Sequence, residues 1–392
     1  MEFLDDLVKY IGIVEENLPR MNEFLKELVS TPSLSGEEKN LALIVSRELK
    51  DLGYDVEVDE MGSLIARRGD GDGRTILFDG HLDHIHPGAK EGWRYGPYAA
   101  EEVDGVLYGR ATVDMKGALA AMIYGCSVPN VNGEVILSLV VHEETNEGVA
   151  TRKIIRERGL EPDICVIGEP SDLQLSIGQR GRCVLRIVTR GATSHASMPK
   201  LGRNAIYEMT PIIDRINEAN EGLPSHPFLG SGTMAVTSIA CRPGTGPIVP
   251  DYCKIQVDRR LVPKETLDGI LEEMRKLATK GEVELLVDEL KCYTGQREKV
   301  DQYFKGWLTD RNHWAVKESL DALEEGMGRR PRIVGWRFST DGVATAGELG
   351  IPTVGFGPGD PALAHQPDEY ITLADVEAAA RGYCSLAYKL AK

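Results

Sequence analysis

The sequence predicts an α/β fold with a mostly parallel central sheet and helices on both faces, plus an inserted α+β segment with an antiparallel sheet. Three observations predict this architecture. Short, wholly apolar runs alternate with helical patterns, which is typical of buried parallel strands: 75–80, 134–141, 163–168 and 353–357. Residues 181–293 instead show two-faced alternation around two amphipathic helices, as in an antiparallel sheet covered on one side. The 392 residues also exceed the ~250 to 300 at which a single core stops growing.

The sequence patterns predict the helices and strands in the following order along the chain. Residues 1–30 carry apolar side chains at helical spacing, and a second helix is predicted with Ser35 as N-cap and Gly53 at its end. A hairpin follows in DVEVDEMGSLIARRG, which alternates on both sides of a Met-Gly turn. The buried-strand pattern then begins, stops near residue 180 and resumes after about residue 330. We therefore expect one domain built from 1–180 and 294–392, and a second, inserted domain built from 181–293.

Composition argues against several classes of partner. The net charge is −16 and no run of Lys or Arg occurs, so nucleic acid and anionic membranes are not expected partners. The seven cysteines are scattered and never form Cys-x-x-Cys, which indicates neither a disulfide framework nor a thiolate zinc site. The acidic N-terminal stretch does not resemble a signal peptide, and no stretch reaches the ~18 apolar residues of a membrane span. The expected location is the cytoplasm.

Each predicted buried strand is followed by residues that can bind a metal. Those residues are His81 with Asp83, the pair Glu143 and Glu144, Glu169, and His365, and Asp114 precedes a helix rich in small residues. Singly, each has an ordinary interpretation as an exposed loop residue or a helix cap. Because parallel strands bring their carboxyl ends to one edge of a sheet, the repetition predicts a shared site there.

The types of side chain favour a site with two divalent ions. Two adjacent carboxylates would repel each other unless a cation lay between them, so one Glu of the pair is expected to bind metal and the other to take a proton from water. His84 and His86 follow His81 so closely that spacing alone leaves the choice among the three open. Imidazoles and carboxylates without thiolate favour Zn²⁺, with Co²⁺ or Mn²⁺ as alternatives, and five such residues exceed the needs of one catalytic ion.

Six motifs in this order and spacing resemble a known family: GHLD (80–83), GRATVDMKG (109–117), HEETNEG (142–148), GEPSD (168–172), GATSHASMP (191–199) and AHQPDEY (364–370). They are similar to the zinc aminoacylases and carboxypeptidases that include acetylornithine deacetylase and succinyl-diaminopimelate desuccinylase. The stretch 335–359 is most similar to a poorly characterised bacterial branch of that family. The resemblance implies a zinc-peptidase-like fold, a catalytic, metal-binding first domain, and a dimerisation or lid domain at 181–293.

The resemblance also implies a role for each site residue. His81 and Glu169 would bind one ion, Glu144 and His365 the other, and Asp114 would bridge them. Asp83 would orient His81, and Glu143 would be the general base. In a homodimer His195 would reach the neighbouring active site and stabilise the oxyanion, while Arg180 and Arg260 would hold a substrate carboxylate. Arg182 and Arg259 are interpreted as structural. Where relatives often have Asn-x-x-Pro, this chain has Pro247 to Pro250, so a side-chain amide is missing.

These implications lead to an expected activity. A two-metal hydrolase would cleave the amide bond of small carboxylated substrates, such as N-acyl amino acids or dipeptides, with Glu143 activating a metal-bridging water. One alternative is a biosynthetic deacylase of narrow specificity, of the acetylornithine or succinyl-diaminopimelate type. Another is a metal-binding dimeric module without turnover. Glu143 beside five metal ligands counts against that module, because a binding protein needs no base.

Overall fold

The computed structural model describes residues 2–69, 71–128 and 130–392, and over these ranges it contains eight α-helices. They are α1 (Glu2–Ser30), α2 (Lys39–Asp51), α3 (Gly117–Ser127), α4 (Val149–Glu157), α5 (Ala205–Ala219), α6 (Leu267–Leu277), α7 (Trp314–Met327) and α8 (Leu373–Leu390). Helix α2 begins later than predicted. The Ser35 hydroxyl donates to the Asp83 carboxylate at 2.6 Å instead of capping the helix.

The strands, numbered in chain order, fall into five sheets. They are β1 (Asp55–Val58), β2 (Leu64–Arg68), β3 (Thr75–His81), β4 (Glu101–Val103), β5 (Val106–Tyr108), β6 (Glu134–Val140), β7 (Ile164–Ile167), β8 (Leu175–Gln179), β9 (Gly181–Arg190), β10 (Ser225–His226), β11 (Gly230–Ser231), β12 (Thr233–Arg242), β13 (Tyr252–Leu261), β14 (Glu282–Leu285), β15 (Val287–Lys291), β16 (Arg297–Asp301), β17 (Tyr303–Phe304), β18 (Trp307–Leu308), β19 (Ile333–Trp336), β20 (Thr353–Gly355) and β21 (Tyr370–Thr372).

The largest sheet has nine strands in the order β1-β2-β6-β3-β7-β20-β8-β18, with β19 beside β8. Its centre is parallel, since β6, β3, β7 and β20 all run in one direction. The predicted hairpin, β1 with β2, joins antiparallel at one edge, and β8 pairs antiparallel with β20 and β18 near the other. The predicted α/β fold class is confirmed, with antiparallel strands on both sides of the parallel centre.

A second sheet is entirely antiparallel, as the alternation in 181–293 predicts. Its order is β12-β13-β9-β14, and β17 also pairs with β9. β17 comes from outside the predicted 181–293 segment, so the sheet draws one short strand from the chain beyond it. The long strands β9 and β13 lie in register, which places Arg182 directly opposite Arg260.

The two sheets have separate hydrophobic cores. In the larger core, every residue of α3 is buried, and the helix packs closely against α8. Gly125 makes this packing possible, because a Cβ at that position would clash with the Ala380 carbonyl oxygen. Within the described ranges, no helix is both long and apolar enough to cross a membrane.

Candidate metal centre

The parallel centre of the large sheet brings the predicted ligands together. His81 is the last residue of β3, and Glu143 and Glu144 follow the end of β6, which is its neighbour. Glu169 follows β7, on the other side of β3, and His365 lies in the loop after β20. Four adjacent parallel strands therefore deliver these residues to one edge of the sheet, as expected for an open α/β fold.

Asp114 lies between the two imidazoles. Its Oδ1 is 3.0 Å from Nε2 of His81, and its Oδ2 is 3.2 Å from Nε2 of His365. The backbone at Asp114 is extended (φ −121°, ψ 90°), which separates it from α3 and turns the carboxylate toward the sheet edge. A carboxylate that presents one oxygen to each histidine has the geometry of a bridging ligand.

The remaining donors form two groups, and within each group all ligand atoms lie within 4.8 Å of one another. One group contains His81, Glu143 and Glu169, and the other contains Asp114, Glu144 and His365. Glu144 is 3.0 Å from Nε2 of His365, whereas Glu169 is 3.5 Å and Glu143 is 3.9 Å from Nε2 of His81. Distances alone therefore allow Glu143 to act either as a ligand of the His81 group or as a base beside it.

The site concentrates negative charge in a buried place. Burial, followed by the charge of Asp114, raises the pKa of Glu169 to about 8 and also raises that of Glu144. Burial raises the pKa of Glu143 as well, with added repulsion from Glu169. Hydrogen bonds with Asp114 and Glu144 raise the pKa of His365 to about 10. All of these pKa values are raised: burial and mutual repulsion favour the neutral form of the carboxylates, whereas the same carboxylates favour the protonated form of His365.

The donor set fits two divalent ions. It combines two imidazoles with four carboxylates and contains no thiolate, which suits Zn²⁺, Co²⁺ or Mn²⁺. In addition, Oε1 of Glu143 is buried and has no hydrogen-bond partner in the described chain. A buried carboxylate oxygen without a donor is costly unless a cation or a bound water satisfies it.

Asp83 contacts the site through both its backbone and its carboxylate. Nδ1 of His81 lies 3.0 Å from the backbone carbonyl oxygen of Asp83 but 3.7 Å from its carboxylate. The carboxylate instead accepts the backbone N–H groups of Glu143 (3.1 Å) and Glu144 (3.2 Å). The Asp83 backbone thus contacts His81, while its carboxylate holds the turn that carries Glu143 and Glu144, and the expectation that Asp83 orients His81 stays a prediction.

Glu369 holds the backbone at Asp114 in place, and this role was not predicted from the sequence. Its Oε1 accepts the backbone N–H groups of Val113 (2.8 Å) and Asp114 (3.2 Å). Its Oε2 accepts a 2.6 Å bond from Arg110, and both side chains are almost fully buried. Because Glu369 lies four residues after His365, one loop supplies a ligand and also fixes the backbone of Asp114. The motif AHQPDEY contained this signal.

A cavity of about 320 Å³ opens in front of the metal centre. Asp114, Glu143, Glu144, Glu169 and His365 line it, together with Arg182, Arg260, Glu147, Phe338 and Ser339. Arg260 thus occupies the expected place, but Arg180 does not line this cavity. The guanidinium of Arg180 instead donates to the carbonyl oxygens of Ser231 (2.6 Å) and Arg337 (3.3 Å). Arg180 lies between the end of β8 and the start of β9 and belongs to neither strand.

Arg182 takes the place in the cavity that was expected for Arg180. It donates to Asp258 at 3.0 Å and lies 3.4 Å from Glu147, and Asp258 also accepts from Arg260 at 2.9 Å. The pairing of β9 with β13 explains this position, since directly opposed residues on paired strands share a face. Arg259, by contrast, is buried and bonded to Glu265 and Glu273, as its structural interpretation requires.

His195 lies apart from the cavity within this chain. Its side chain is exposed, its Nδ1 is 2.7 Å from the Ser197 hydroxyl, and it is not among the residues that line the cavity. A single chain therefore does not bring His195 to the metal centre, and the expected role needs a second subunit.

Comparisons with known proteins agree with these observations. The family model "Peptidase family M20/M25/M40" matches residues 77–389. The uncharacterised protein YgeY of Escherichia coli is 34% identical over 359 residues, which cover 89% of each chain. A succinyl-diaminopimelate desuccinylase of Bordetella petrii is 27% identical over 280 residues, covering 67% of this chain and 73% of that protein.

Two solved structures share the fold. An M20 family metallo-carboxypeptidase from Sulfolobus solfataricus has a TM-score of 0.75 at 19% identity, with 96% of this chain and 99% of that one covered. The YXEP protein of Bacillus subtilis, described as a dinuclear metal binding peptidase, has a TM-score of 0.68 at 16% identity, with 95% and 98% covered.

Proposed function

This chain belongs to peptidase family M20/M25/M40 and is a metal-dependent hydrolase, and from that premise we propose that it hydrolyses the amide bond of small carboxylated substrates, either N-acyl amino acids or dipeptides. One observation carries the proposal. Asp114 places one oxygen next to His81 and the other next to His365, and these two histidines belong to the two different ligand groups. Glu143 and Arg260 line the same cavity. A pair of ions, a base and a cation are the parts that this reaction requires.

In this proposal five residues would hold the ions: His81 and Glu169 would bind one, Glu144 and His365 would bind the other, and Asp114 would contribute to both. Zinc is the proposed metal, with cobalt or manganese as alternatives. When bound, the two ions polarise the scissile carbonyl and make the attacking water more acidic. Glu143 takes a proton from that water while the oxygen of the water forms a bond to the carbonyl carbon. It then delivers the proton to the nitrogen as the carbon–nitrogen bond breaks.

Arg260 binds the free carboxylate of the substrate. Its Nε is engaged by Asp258 at 2.9 Å, which fixes the guanidinium while leaving its terminal N–H groups toward the cavity. Charge-assisted bonds from a fixed guanidinium give both affinity and orientation. Arg182 stabilises the arrangement from the opposite strand, because it shares Asp258.

We also propose that residues 181–293 form a dimerisation or lid domain, and that His195 stabilises the oxyanion in the partner subunit's site. Exposed apolar side chains in this segment support an interface: Met198, Leu201, Tyr207, Ile239 and Ile248. The cytoplasm is the proposed location, and the seven cysteines, all free, agree with a reducing compartment.

A narrow biosynthetic deacylase is the second candidate. It is favoured by the similarity to a desuccinylase, which is 27% identical. The two candidates predict different substrate ranges, because a narrow deacylase needs one particular acyl group whereas a dipeptidase does not.

Elemental analysis combined with a substrate panel tests the proposal. Purified protein should contain about two divalent ions per chain, and the panel should include N-acetyl and N-succinyl amino acids and dipeptides. Hydrolysis of several classes supports a broad enzyme, and hydrolysis of one acyl class supports the narrow deacylase. Two bound ions with no hydrolysis of any class would refute the proposal and favour a binding module.

A further inference from the structure

Two cysteines lie opposite each other in the smaller sheet, and the proposed function uses neither of them. Where β12 pairs with β13, Cys241 is directly opposite Cys253. Directly opposed residues on paired strands share a face, and both of these side chains pack against the smaller core. Among the strand pairings of the described residues, no other two cysteines are opposed in this way.

The hydrogen bonds on the two sides of β9 show which kind of pair this is. On one side, the Gly191 N–H donates to the Asp251 carbonyl oxygen at 2.7 Å, and on the other the Leu286 N–H donates to the Val184 carbonyl oxygen at 2.9 Å. Hydrogen-bonded pairs in antiparallel strands recur at every second residue. The odd-numbered residues of β9 therefore bond to β13, and Cys253 turns its own backbone groups toward β9.

Cys241 and Cys253 are consequently a non-hydrogen-bonded pair, the kind in which opposed side chains come closest. The Cα atoms of such a pair lie about 4.5 Å apart, and disulfides join Cα atoms that are roughly 4.4 to 6.8 Å apart. The Cβ atoms of cross-strand pairs are about 4.5 to 5.5 Å apart, which exceeds the ~3.8 Å of a disulfide. A bond here would draw the strands together, and the resulting strain would make it easy to reduce.

The two thiols differ in their access to an oxidant. All seven cysteines lie in the described ranges, and Cys241 alone is half-buried whereas the others are buried. Burial, and then the neighbouring Cys241, raise the pKa of Cys253. Cys126 and Cys384 of the larger core are also neighbours, but both are buried, so neither meets an oxidant. Cys241 is thus the thiol that reacts first, with Cys253 placed to attack it afterwards.

The pair lies at the base of a loop that contacts the His195 segment. Residues 243–251 form this loop, which joins β12 to β13. Ile248 pairs with His195, and the Val249 N–H donates to the Ser194 carbonyl oxygen at 2.8 Å. A bond that draws the two strands together therefore acts on the loop and, through it, on His195.

We propose that Cys241 and Cys253 are a redox modification site, at which a reversible disulfide tightens the loop beside His195. A peroxide first oxidises the Cys241 thiol to a sulfenic acid: a sulfur–oxygen bond forms, the oxygen–oxygen bond breaks and one water leaves. The Cys253 sulfur then displaces the hydroxyl group, so that the sulfur–sulfur bond forms and a second water leaves. Each sulfur loses one electron, the peroxide gains two, and a dithiol reverses the change. Transient disulfides of this type occur in reducing compartments.

Peptide mapping of the metal-loaded protein tests the bond. After treatment with hydrogen peroxide and blocking of the remaining thiols, mass spectrometry should find the peptides of Cys241 and Cys253 joined, and dithiothreitol should separate them. Cys126 and Cys384 should be recovered as blocked thiols. Oxidation that leaves Cys241 and Cys253 unjoined, or that links Cys241 to a second chain, would overturn the inference.

Hydrogen exchange of the same samples tests the effect on the loop. The disulfide should slow the exchange of backbone amides in 194–196 and 243–251 by about threefold or more, because it restricts local opening. Peroxide should have no such effect on Cys241→Ser, and Cys126→Ala, which removes a thiol from the buried pair, should respond like the unchanged protein. Equal exchange before and after disulfide formation would overturn the link to His195.

Discussion

The metal centre and the arginine wall line the same cavity but are stabilised in opposite ways. We define the arginine wall as Arg182, Arg260 and the Asp258 between them. In the wall, opposite charges pair at 2.9 to 3.0 Å, so it holds its shape by itself. In the metal centre, buried carboxylates raise one another's pKa and depend on added cations. Substitutions should therefore act through metal binding in the metal centre and through substrate binding in the arginine wall.

The largest effect is expected from Glu143→Gln. Loss of the proton acceptor should lower kcat by a factor of about 10² to 10⁴, while the content of bound metal stays unchanged. Steady-state kinetics with elemental analysis of the same preparation would measure both. Loss of an ion from the variant would show instead that Glu143 is a ligand in the His81 group, as its 3.9 Å distance from His81 allows.

A smaller effect should follow from Glu369→Gln. The amide oxygen can still accept the N–H groups of Val113 and Asp114, but the charge that balances Arg110 is lost. We expect metal affinity to fall about 10- to 100-fold, as for other residues that support ligands, and saturating metal should restore most of kcat. Titration with a competing chelator measures this affinity.

The control for Glu369 is Glu318→Gln, which removes a carboxylate from a partly exposed ion pair with Arg74. It should leave metal affinity unchanged. An equal loss in both variants would mean that charge removal weakens the protein generally and that Glu369 has no special link to Asp114.

Asp258→Asn tests whether the two regions are independent. Loss of its charge should loosen both arginines and raise KM for carboxylated substrates about tenfold, with the metal content unchanged. Asp214→Asn, at an exposed aspartate on α5 that lines neither this cavity nor the hollow beside Asp258, serves as the control. A fall in the metal content of the Asp258→Asn protein would show that the arginine wall also affects metal binding, so that the two regions are not independent.

The smallest effects concern the two hydrophobic cores. Thr372 caps α8 in the larger core and Thr266 caps α6 in the smaller one, so each change to Ala should lower the free energy of unfolding by about 1 kcal/mol. The four tryptophans, at positions 93, 307, 314 and 336, all lie outside the smaller core. Thr266→Ala should therefore shift the urea transition followed by circular dichroism but not the one followed by tryptophan fluorescence. Identical shifts by both probes would mean that the cores unfold together.

The comparison also explains what the sequence could predict. The metal-centre residues follow apolar strands that run in parallel, so their convergence follows from strand direction alone, and the order β6-β3-β7-β20 brings them together. The arginine wall depends on the register between β9 and β13, which local patterns do not specify. Of the two substrate-binding arginines expected from the sequence, Arg260 lines the cavity and Arg180 does not, whereas Arg182, interpreted as structural, does line it.

Capping was misjudged for a similar reason. Ser35 is a good N-cap by type, but a distant partner, Asp83, takes its hydroxyl. The Asp83 carboxylate also accepts the backbone N–H groups of Glu143 and Glu144. Long-range partners of short polar side chains are not encoded in the neighbouring sequence.

The loop that carries His365 and Glu369 makes the metal centre depend on two distant parts of the chain. His81, Asp114, Glu144 and Glu169 lie in the first half of the sequence, whereas His365 and the Glu369 carboxylate that accepts the N–H groups of Val113 and Asp114 lie near its end. A nascent chain that has not reached residue 369 therefore lacks the acceptor for the Asp114 backbone, and until it passes residue 365 it also lacks one of the five proposed ligands. We expect such a chain to bind metal less tightly than the full-length protein.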